Sequence, residues 1–284
     1  KLLLVSLLSA LSLLLVFGYS GIKTNGFINN KLNQEGQNFL SSYQGPEIAM
    51  PAYREECNFY IQGEINSTCY ESQEGKHDVL IWGDSHAMAL GPGLRHNFSN
   101  KYNFLQVTSS DCSPKLTLGE YQNYTNRCSR SNSFALSLID KKKIRYVLMA
   151  QRTDHTSTKW LEISNYLRGK GVENIIIIGP TPQWVTELPK VVAFYKLYEN
   201  QNPKTHLRID RKSFEIDQHL FEKLGEQKNL IYLSLINVLC DSEGCLYRLN
   251  NSPPTNNLIL FDEAHLSTEG SIFVTDKLLR DILN

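Results

Sequence analysis

Five short runs of apolar residues, many of them β-branched or aromatic, recur along the chain after residue 75. The runs are residues 79–82, 104–107, 146–150, 175–178 and 230–235. Each is followed by turn residues and then by a stretch compatible with a helix. The segment NIIIIGP, residues 174–180, is apolar on consecutive positions, which is typical of a strand buried on both faces of a parallel sheet. Repeated strand-then-helix units predict an α/β fold with an open, doubly wound parallel sheet over residues 76–284.

An uncharged, Leu-rich run occupies residues 2–22. Its length is close to the roughly 20 residues that a helix needs to cross the hydrocarbon core of a membrane. Lys1 ahead of such a run also resembles the start of a signal peptide, but no clear A-x-A cleavage site follows. We predict one transmembrane helix over residues 1–22, with a signal peptide as the alternative. Both interpretations place the following residues outside the cytoplasm.

Residues 23–75 do not follow the strand-then-helix alternation. They are polar and rich in Asn, Gln and Ser. This composition predicts a linker or extension between the N-terminal helix and the α/β domain.

The charge balance argues against a nucleic-acid-binding protein. The chain has 29 Lys and Arg residues against 29 Asp and Glu residues, so its formal net charge is zero. Binding to nucleic acid depends largely on an excess of positive charge. The apolar fraction of 41% is enough for one sizeable core, and no metal-ligand motif or Gly-rich phosphate loop is present in the sequence.

The six cysteines form three local pairs. They are Cys57/Cys69, Cys112/Cys128 and Cys240/Cys245. Such short loops close readily as disulfides in an oxidising compartment. Zinc sites would show C-x2-C spacing with matched histidines, which these pairs lack, and six unrelated buried thiols remain a second alternative. We predict three disulfides and hence a periplasmic or extracellular location.

A serine follows the first predicted strand in the segment Gly83-Asp84-Ser85-His86. Open α/β folds bind their ligands at this carboxyl edge of the sheet. The Ser85 N–H would lie at the start of the next helix, where it can stabilise a developing oxyanion. A serine at such a junction is more often only a helix N-cap, so the motif needs a second observation.

That second observation is the segment LFDEAHLSTEG near the end of the chain, residues 260–270. Asp262 and His265 are three positions apart, so the carboxylate can bind one imidazole nitrogen while the other faces a nucleophile. Ser85, His265 and Asp262 would then form a catalytic triad for acyl transfer. The alternative is a capping pair at the start of the last helix.

GDSH and DEAHLS together resemble blocks I and V of the SGNH hydrolases, whose fold is a flavodoxin-like sheet and whose substrates are esters. More narrowly, the chain is similar to the SGNH domain fused to the C-terminus of acyltransferase family 3 membrane proteins, such as the O-antigen acetyltransferases. The leading apolar run and the segments TSSDCSPKL, LCDSEGC and FDEAHLS carry this closer resemblance. It implies that Ser85 is the nucleophile, His265 the general base and Asp262 the orienting carboxylate.

Two other blocks depart from the family pattern. The block II segment TSSD, residues 108–111, has no Gly, and the block III segment MAQRTD, residues 149–154, has no Asn. Both missing residues would be oxyanion donors. We therefore predict Ser85 N–H as one donor, with the backbone at Ser110 or the side chain of Gln151 or Arg152 as the second.

The resemblance implies a serine-dependent O-acyltransferase, most simply an O-acetyltransferase, acting on a hydroxyl of a cell-surface glycan such as the lipopolysaccharide O-antigen. Residues 1–22 would be the end of a membrane acyltransferase domain in the same polypeptide, and the catalytic domain would lie in the periplasm. We expect no cofactor and no metal, with acetyl-CoA as the ultimate donor through the membrane domain. A secreted SGNH carbohydrate esterase is the alternative, and a non-catalytic glycan-binding module is a second one.

Overall fold

The computed structural model describes residues 2–23, 32–59, 63–249 and 257–283. Its strands are β1 (His77–Gly83), β2 (Tyr102–Thr108), β3 (Ile144–Ala150), β4 (Asn174–Ile178), β5 (Gln183–Trp184), β6 (Lys204–Thr205), β7 (Ile209–Asp210), β8 (Ile231–Leu233), β9 (Cys240–Asp241) and β10 (Gly244–Leu246). Its helices are α1 (Leu2–Lys23), α2 (Gln34–Ser42), α3 (Gly45–Tyr53), α4 (Ser85–Phe98), α5 (Arg127–Lys141), α6 (Trp160–Gly169), α7 (Leu188–Phe194), α8 (Lys212–Leu224), α9 (Leu235–Leu239) and α10 (Thr268–Leu283).

The centre of the fold is a five-stranded sheet with the order β2-β1-β3-β4-β8. All of its neighbouring strands run parallel. These strands coincide with the five apolar runs of the sequence, so the predicted α/β fold with a central parallel sheet is confirmed. The short strands form two small antiparallel sheets, β6-β10-β9 and β5-β7.

Both faces of the central sheet are covered, which is why its strands are apolar on consecutive positions. Along β1, Val79 and Ile81 belong to one buried cluster, together with residues of α4 and α10. Leu80 and Trp82 point to the opposite face and belong to a second cluster, together with residues of α5 and α6. Successive strand side chains alternate between faces, so a strand with helices on both sides must be apolar throughout.

The Leu-rich run near the N-terminus forms α1. Among the residues that the structure describes, no helix combines the length and the hydropathy needed to cross a membrane. Lys1, the first residue of the predicted transmembrane helix, lies outside the described residues.

Part of the predicted linker is packed structure. Helices α2 and α3 bury Phe39, Ala49 and Tyr53 in the same cluster as α4 and α10. The carbonyl of Tyr53 also accepts a hydrogen bond from the Gln106 amide in β2, at 2.9 Å. Polar composition predicted a spacer here, whereas the few apolar residues, at helical spacing, are enough to attach these helices to the domain.

The three predicted disulfides are confirmed. Cys57 pairs with Cys69, Cys112 with Cys128, and Cys240 with Cys245. The Cys112–Cys128 bond closes the loop that follows β2 at the carboxyl edge of the sheet, and the Cys240–Cys245 bond joins β9 to β10.

Candidate active site

Ser85 is the first residue of α4, immediately beyond the end of β1. The turn between them requires Gly83, which has a φ of 151° and whose position leaves no room for a Cβ against the carbonyl oxygen of Ala150. The side chain of Asp84 caps the helix by accepting the His86 N–H at 2.8 Å. The strand end and the cap together hold Ser85 at the carboxyl edge of the sheet, as the sequence predicted.

Asp262 and His265 lie in a short loop directly ahead of α10. The loop is closed at its base by an antiparallel bridge between Leu260 and Leu266. Within it, Asp262 Oδ1 accepts the backbone N–H groups of Ala264 at 2.8 Å and of His265 at 2.7 Å. The Asp262 side chain therefore folds over its own loop, and its second oxygen is left to face the His265 ring.

The three predicted triad residues come together although Ser85 and His265 are 180 positions apart. His265 Nδ1 lies 2.6 Å from Asp262 Oδ2, and His265 Nε2 lies 2.8 Å from Ser85 Oγ. With the Nδ1 proton directed at the carboxylate, Nε2 is free to accept the serine proton. The side chains of His265 and Asp262 are 16% and 24% exposed, so the cluster opens to solvent on one side.

The electrostatics keep Asp262 ionised. Burial by itself would raise the pKa of this carboxyl, but the hydrogen bond and charge of His265, together with the two backbone N–H groups, bring the pKa below its ordinary value. An ionised Asp262 can stabilise a positive charge on the His265 ring.

Two rings hold the His265 imidazole in place. The Phe261 ring is stacked on it, with centroids 5.6 Å apart and an interplanar angle of 10°. The His86 ring packs against the His265 ring in a tilted arrangement, with centroids 4.8 Å apart and an interplanar angle of 50°. Burial, and then the charges of His265 and Arg152, lower the pKa of His86 well below its ordinary value, so this neighbour stays neutral and does not oppose the charge on His265.

Asp84 connects the serine turn to the loop after β3. Its Oδ2 accepts the backbone N–H of Arg152 at 2.7 Å while Oδ1 caps α4. Burial raises the pKa of Asp84 to about 6, against the opposing effect of these two N–H groups. Asp84 is only 3% exposed, and it ties the two ends of neighbouring strands together beside the nucleophile.

Two of the predicted oxyanion donors are engaged elsewhere. The Ser110 N–H donates to Asn58 Oδ1 at 3.1 Å. Both N–H groups of the buried Gln151 amide are used, towards Thr153 O at 2.6 Å and Thr158 Oγ1 at 3.0 Å. In this arrangement the Ser110 backbone N–H and the Gln151 side-chain amide both donate to other acceptors, so neither is free for an oxyanion unless these hydrogen bonds change.

Ser85 and Arg152 are the remaining candidates for the oxyanion hole. The Ser85 N–H lies in the first turn of α4, where helical N–H groups have no acceptor within the helix. The Arg152 backbone N–H is held by Asp84, but its guanidinium extends to Glu263, with Nη2 2.7 Å from Glu263 Oε1. Glu263 lies between Asp262 and His265 in the loop of residues 260–266, which we call the histidine loop. The Arg152 guanidinium therefore bridges the loop after β3 and the histidine loop.

The sequence did not indicate several residues that shape the site. Asn58 lies in the predicted extension, yet its side chain makes two hydrogen bonds to Ser110. Asn58 Nδ2 donates to Ser110 Oγ at 3.0 Å, and Asn58 Oδ1 accepts the Ser110 N–H at 3.1 Å. Phe261 adjoins the predicted triad residue Asp262, and only its stacking on His265 reveals its role. Asp84 was visible within GDSH, but its bond to Arg152 could not be read from local spacing.

Comparison with known proteins identifies the family of the chain. A family model described as an SGNH domain, fused to AT3 domains, matches residues 51–280. Among solved structures, the periplasmic domain of a lipopolysaccharide acetyltransferase from Salmonella ser. Paratyphi A is similar at 26% identity and a TM-score of 0.64, covering 76% of this chain and 86% of that one.

A protein of Streptococcus pneumonia described as a platelet activating factor matches at 12% identity and a TM-score of 0.42, over 84% of this chain and 94% of the other. A similarity this low supports no statement about function. No curated protein matches the sequence. The family match covers most of the chain, and the chain therefore belongs to the family of SGNH domains that is described as fused to AT3 domains.

Proposed function

We propose that this protein is a serine-dependent O-acyltransferase that moves an acyl group, most simply acetyl, onto a hydroxyl of a cell-surface glycan of the lipopolysaccharide type. The observation that carries the proposal is a pair of hydrogen bonds that link the three side chains. Ser85 Oγ lies 2.8 Å from His265 Nε2, and His265 Nδ1 lies 2.6 Å from Asp262 Oδ2. This arrangement supplies a nucleophile, a base and a group that orients the base.

In the first half-reaction, His265 Nε2 accepts the Ser85 proton while Ser85 Oγ attacks the carbonyl carbon of the acyl donor. The carbonyl oxygen becomes an oxyanion that the Ser85 N–H and the Arg152 guanidinium would stabilise. When the intermediate collapses, the bond to the leaving group breaks and His265 returns its proton to that group. The product of this step is an acyl-serine.

In the second half-reaction, a glycan hydroxyl approaches the same face of His265. His265 removes the hydroxyl proton as the oxygen attacks the acyl-serine carbonyl, and the bond to Ser85 Oγ then breaks. The serine regains its proton from His265, and the acylated glycan leaves. The charge on Asp262 stabilises the imidazolium in both halves.

Similarity to a lipopolysaccharide acetyltransferase domain supports a glycan as the acceptor. Its description as a periplasmic domain, together with three disulfides in this chain, supports a location outside the cytoplasm, in the periplasm. The family description, an SGNH domain fused to AT3 domains, supports an AT3 domain as a partner. We propose that this partner lies in the membrane and delivers the acyl group, with acetyl-CoA as the ultimate donor. No bound cofactor is needed for the chemistry described above.

The test is ester cleavage and acyl-serine formation by the full chain with p-nitrophenyl acetate. We expect p-nitrophenol release and an acetylated species in the intact-protein mass spectrum, both absent in Ser85→Ala. Ser99→Ala, at the opposite end of the same helix, is the matched control and should behave like the wild type. Adding purified O-polysaccharide should divert the acetyl group from water to the glycan.

Three results would contradict the proposal. An inactive wild type would disfavour acyl transfer by this chain, and activity that survives in Ser85→Ala would exclude the assigned nucleophile. Hydrolysis without any transfer to the glycan would instead favour the carbohydrate esterase.

A further inference from the structure

A groove lies between the helices that precede the α/β domain and the start of α7. We call it the extension groove. Leu40 and Tyr43 form the wall on the α2 side, Phe261 and Pro189 lie on the opposite side, and the polar residues at the rim include Lys190. Its volume of about 440 Å³ falls within the roughly 300–1,000 Å³ of ordinary small-molecule sites.

The extension groove adjoins the histidine loop through two contacts. Phe261, which lines the groove, is stacked on the His265 ring. The Leu188 N–H, in the first turn of α7, donates to the carbonyl oxygen of Asp262 at 3.1 Å. Burial and the charge of Asp262 together raise the pKa of Tyr43, so the Tyr43 hydroxyl stays protonated and lies within electrostatic reach of the triad. A ligand in the groove would therefore contact the residues that position His265.

The lining of the groove combines aromatic and hydrogen-bonding side chains, a combination that suits a sugar. The half-buried Tyr43 offers ring surface to which the C–H face of a pyranose can pack. Phe261 also lines the groove, but it is only 9% exposed and its ring is stacked on His265. Around them stand hydrogen-bonding groups, including the carboxylates of Glu47 and Glu187 and the ammonium of Lys190. Glu187 and Lys190 already form an ion pair at 2.6 Å, so the rim carries both donors and acceptors without a strong excess of one charge.

We propose that the extension groove binds a sugar residue of the acceptor glycan, so that a neighbouring residue of the same glycan presents its hydroxyl to Ser85. This assignment rests on the proposed function. It gives the packed α2–α3 segment a role in acceptor recognition, since one wall of the groove belongs to it.

A second cavity provides the natural comparison. It has a volume of about 470 Å³ and lies between the loop after β2, at Ser113 and Leu116, and the residues leading into α6, from Asp154 to Ile163. No aromatic ring is among the described residues that line it, and none of the hydrogen bonds given above for Ser85, Asp262 or His265 goes to one of these residues. It therefore lacks both features that favour the extension groove as a sugar site.

Each cavity contains one exposed serine in the same local arrangement. Ser41 Oγ donates to the Asn38 carbonyl three residues earlier, at 2.9 Å. Ser157 Oγ donates to the Asp154 carbonyl three residues earlier, at 3.1 Å. Ser41→Trp and Ser157→Trp are thus a matched pair that obstructs one cavity at a time without removing a buried side chain.

The first experiment compares both variants with the wild type, using p-nitrophenyl acetate as the donor and purified O-polysaccharide as the acceptor. We expect Ser41→Trp to reduce acetyl transfer to the glycan about tenfold or more, seen as a raised KM for the acceptor, with p-nitrophenyl acetate hydrolysis in the absence of glycan unchanged. Ser157→Trp should match the wild type in both reactions.

The second experiment measures binding without chemistry, in the Ser85→Ala variant. Methyl α-pyranosides of glucose, galactose, mannose and rhamnose are titrated while backbone amide resonances are followed by NMR. We expect at least one sugar to shift the amides of residues 37–45, 47, 187, 188 and 190, and Ser41→Trp to abolish those shifts. Because this variant is inactive by design, the result does not depend on whether the proposed catalysis is correct.

Two outcomes would overturn the assignment. Loss of transfer in Ser157→Trp, with normal transfer in Ser41→Trp, would place the acceptor in the other cavity. Absence of amide shifts in the groove with all four sugars would exclude it as a sugar site. Failure of the proposed function itself would look different, because the wild type would then lack acyl-serine formation whatever the binding data show.

Discussion

The two halves of the catalytic cluster are held in place by different kinds of structure. Ser85 follows directly from β1, which is buried between two neighbouring strands of the central sheet. The histidine loop has only the Leu260–Leu266 bridge as sheet structure, and it is supported from outside by the α2–α3 segment, where the Tyr53 hydroxyl donates to the Leu266 carbonyl. The position of Ser85, the proposed nucleophile, is thus set by local strand geometry. The position of His265, the proposed base, depends on packing between distant segments.

The largest expected effect concerns the histidine half. In Asp262→Asn the amide cannot stabilise the imidazolium, so we expect kcat for p-nitrophenyl acetate to fall on the order of 10³- to 10⁴-fold with little change in unfolding temperature. Asp217→Asn is the control, because Asp217 is also a buried acid but bonds Tyr232 and Ser234, outside the site. Near-normal turnover in Asp262→Asn would remove Asp262 from the triad.

A smaller loss is expected from the residue that bridges the two halves. Arg152→Ala should lower kcat by about 10²-fold if its guanidinium faces the oxyanion. Glu263→Gln keeps an oxygen for the contact with Arg152 and should change kcat by no more than a few fold. Equal losses in the two variants would show that Arg152 acts through its ion pair with Glu263 rather than on the oxyanion.

The dependence of His265 on distant packing is tested by Tyr53→Phe, which removes the hydrogen bond to Leu266. We expect a loss of about 1 kcal/mol in unfolding free energy and a several-fold fall in kcat. Tyr247→Phe is the control, because Tyr247 is equally buried and its hydroxyl bonds the carbonyls of Leu197 and Asn202 and the Nε of Arg248, none of which belongs to the triad. Tyr247→Phe should lose at least as much stability and keep its activity, and equal activity losses would contradict the proposed support.

The last effect concerns the serine half, and it appears in the pH dependence of stability rather than in kcat. Burial raises the pKa of Asp84 to about 6 in the folded protein, so the folded state binds a proton that the unfolded state has already released. The Asp84 contribution to the unfolding free energy should therefore fall as pH rises from about 4 to about 6, by at most about 1.4 kcal/mol per unit. The difference between the wild type and Asp84→Asn in chemical denaturation should show this slope and level off above pH 7. A flat difference across that window would contradict the raised pKa.

Much of the fold could be predicted because its signals are local. A strand buried on both faces must be apolar on consecutive positions, so the five strands of the sheet stand out in the sequence. Short cysteine separations likewise indicated the three disulfides. The packing of the polar stretch before the domain was harder to predict, because only a few apolar residues such as Phe39 and Tyr53 attach this stretch to the core.

The sequence by itself determined the sheet, the disulfide pairs and the residue types of the triad, because these depend on patterns within a few positions of the chain. Only the tertiary structure decided which donors remain for the oxyanion. Asn58 engages Ser110 across 52 positions, and Arg152 meets Glu263 across 111. The extension groove likewise exists only where α2 meets α7 beside Phe261. Hydrogen bonds and cavities between distant segments depend on how loops pack in three dimensions, and no local spacing records that packing.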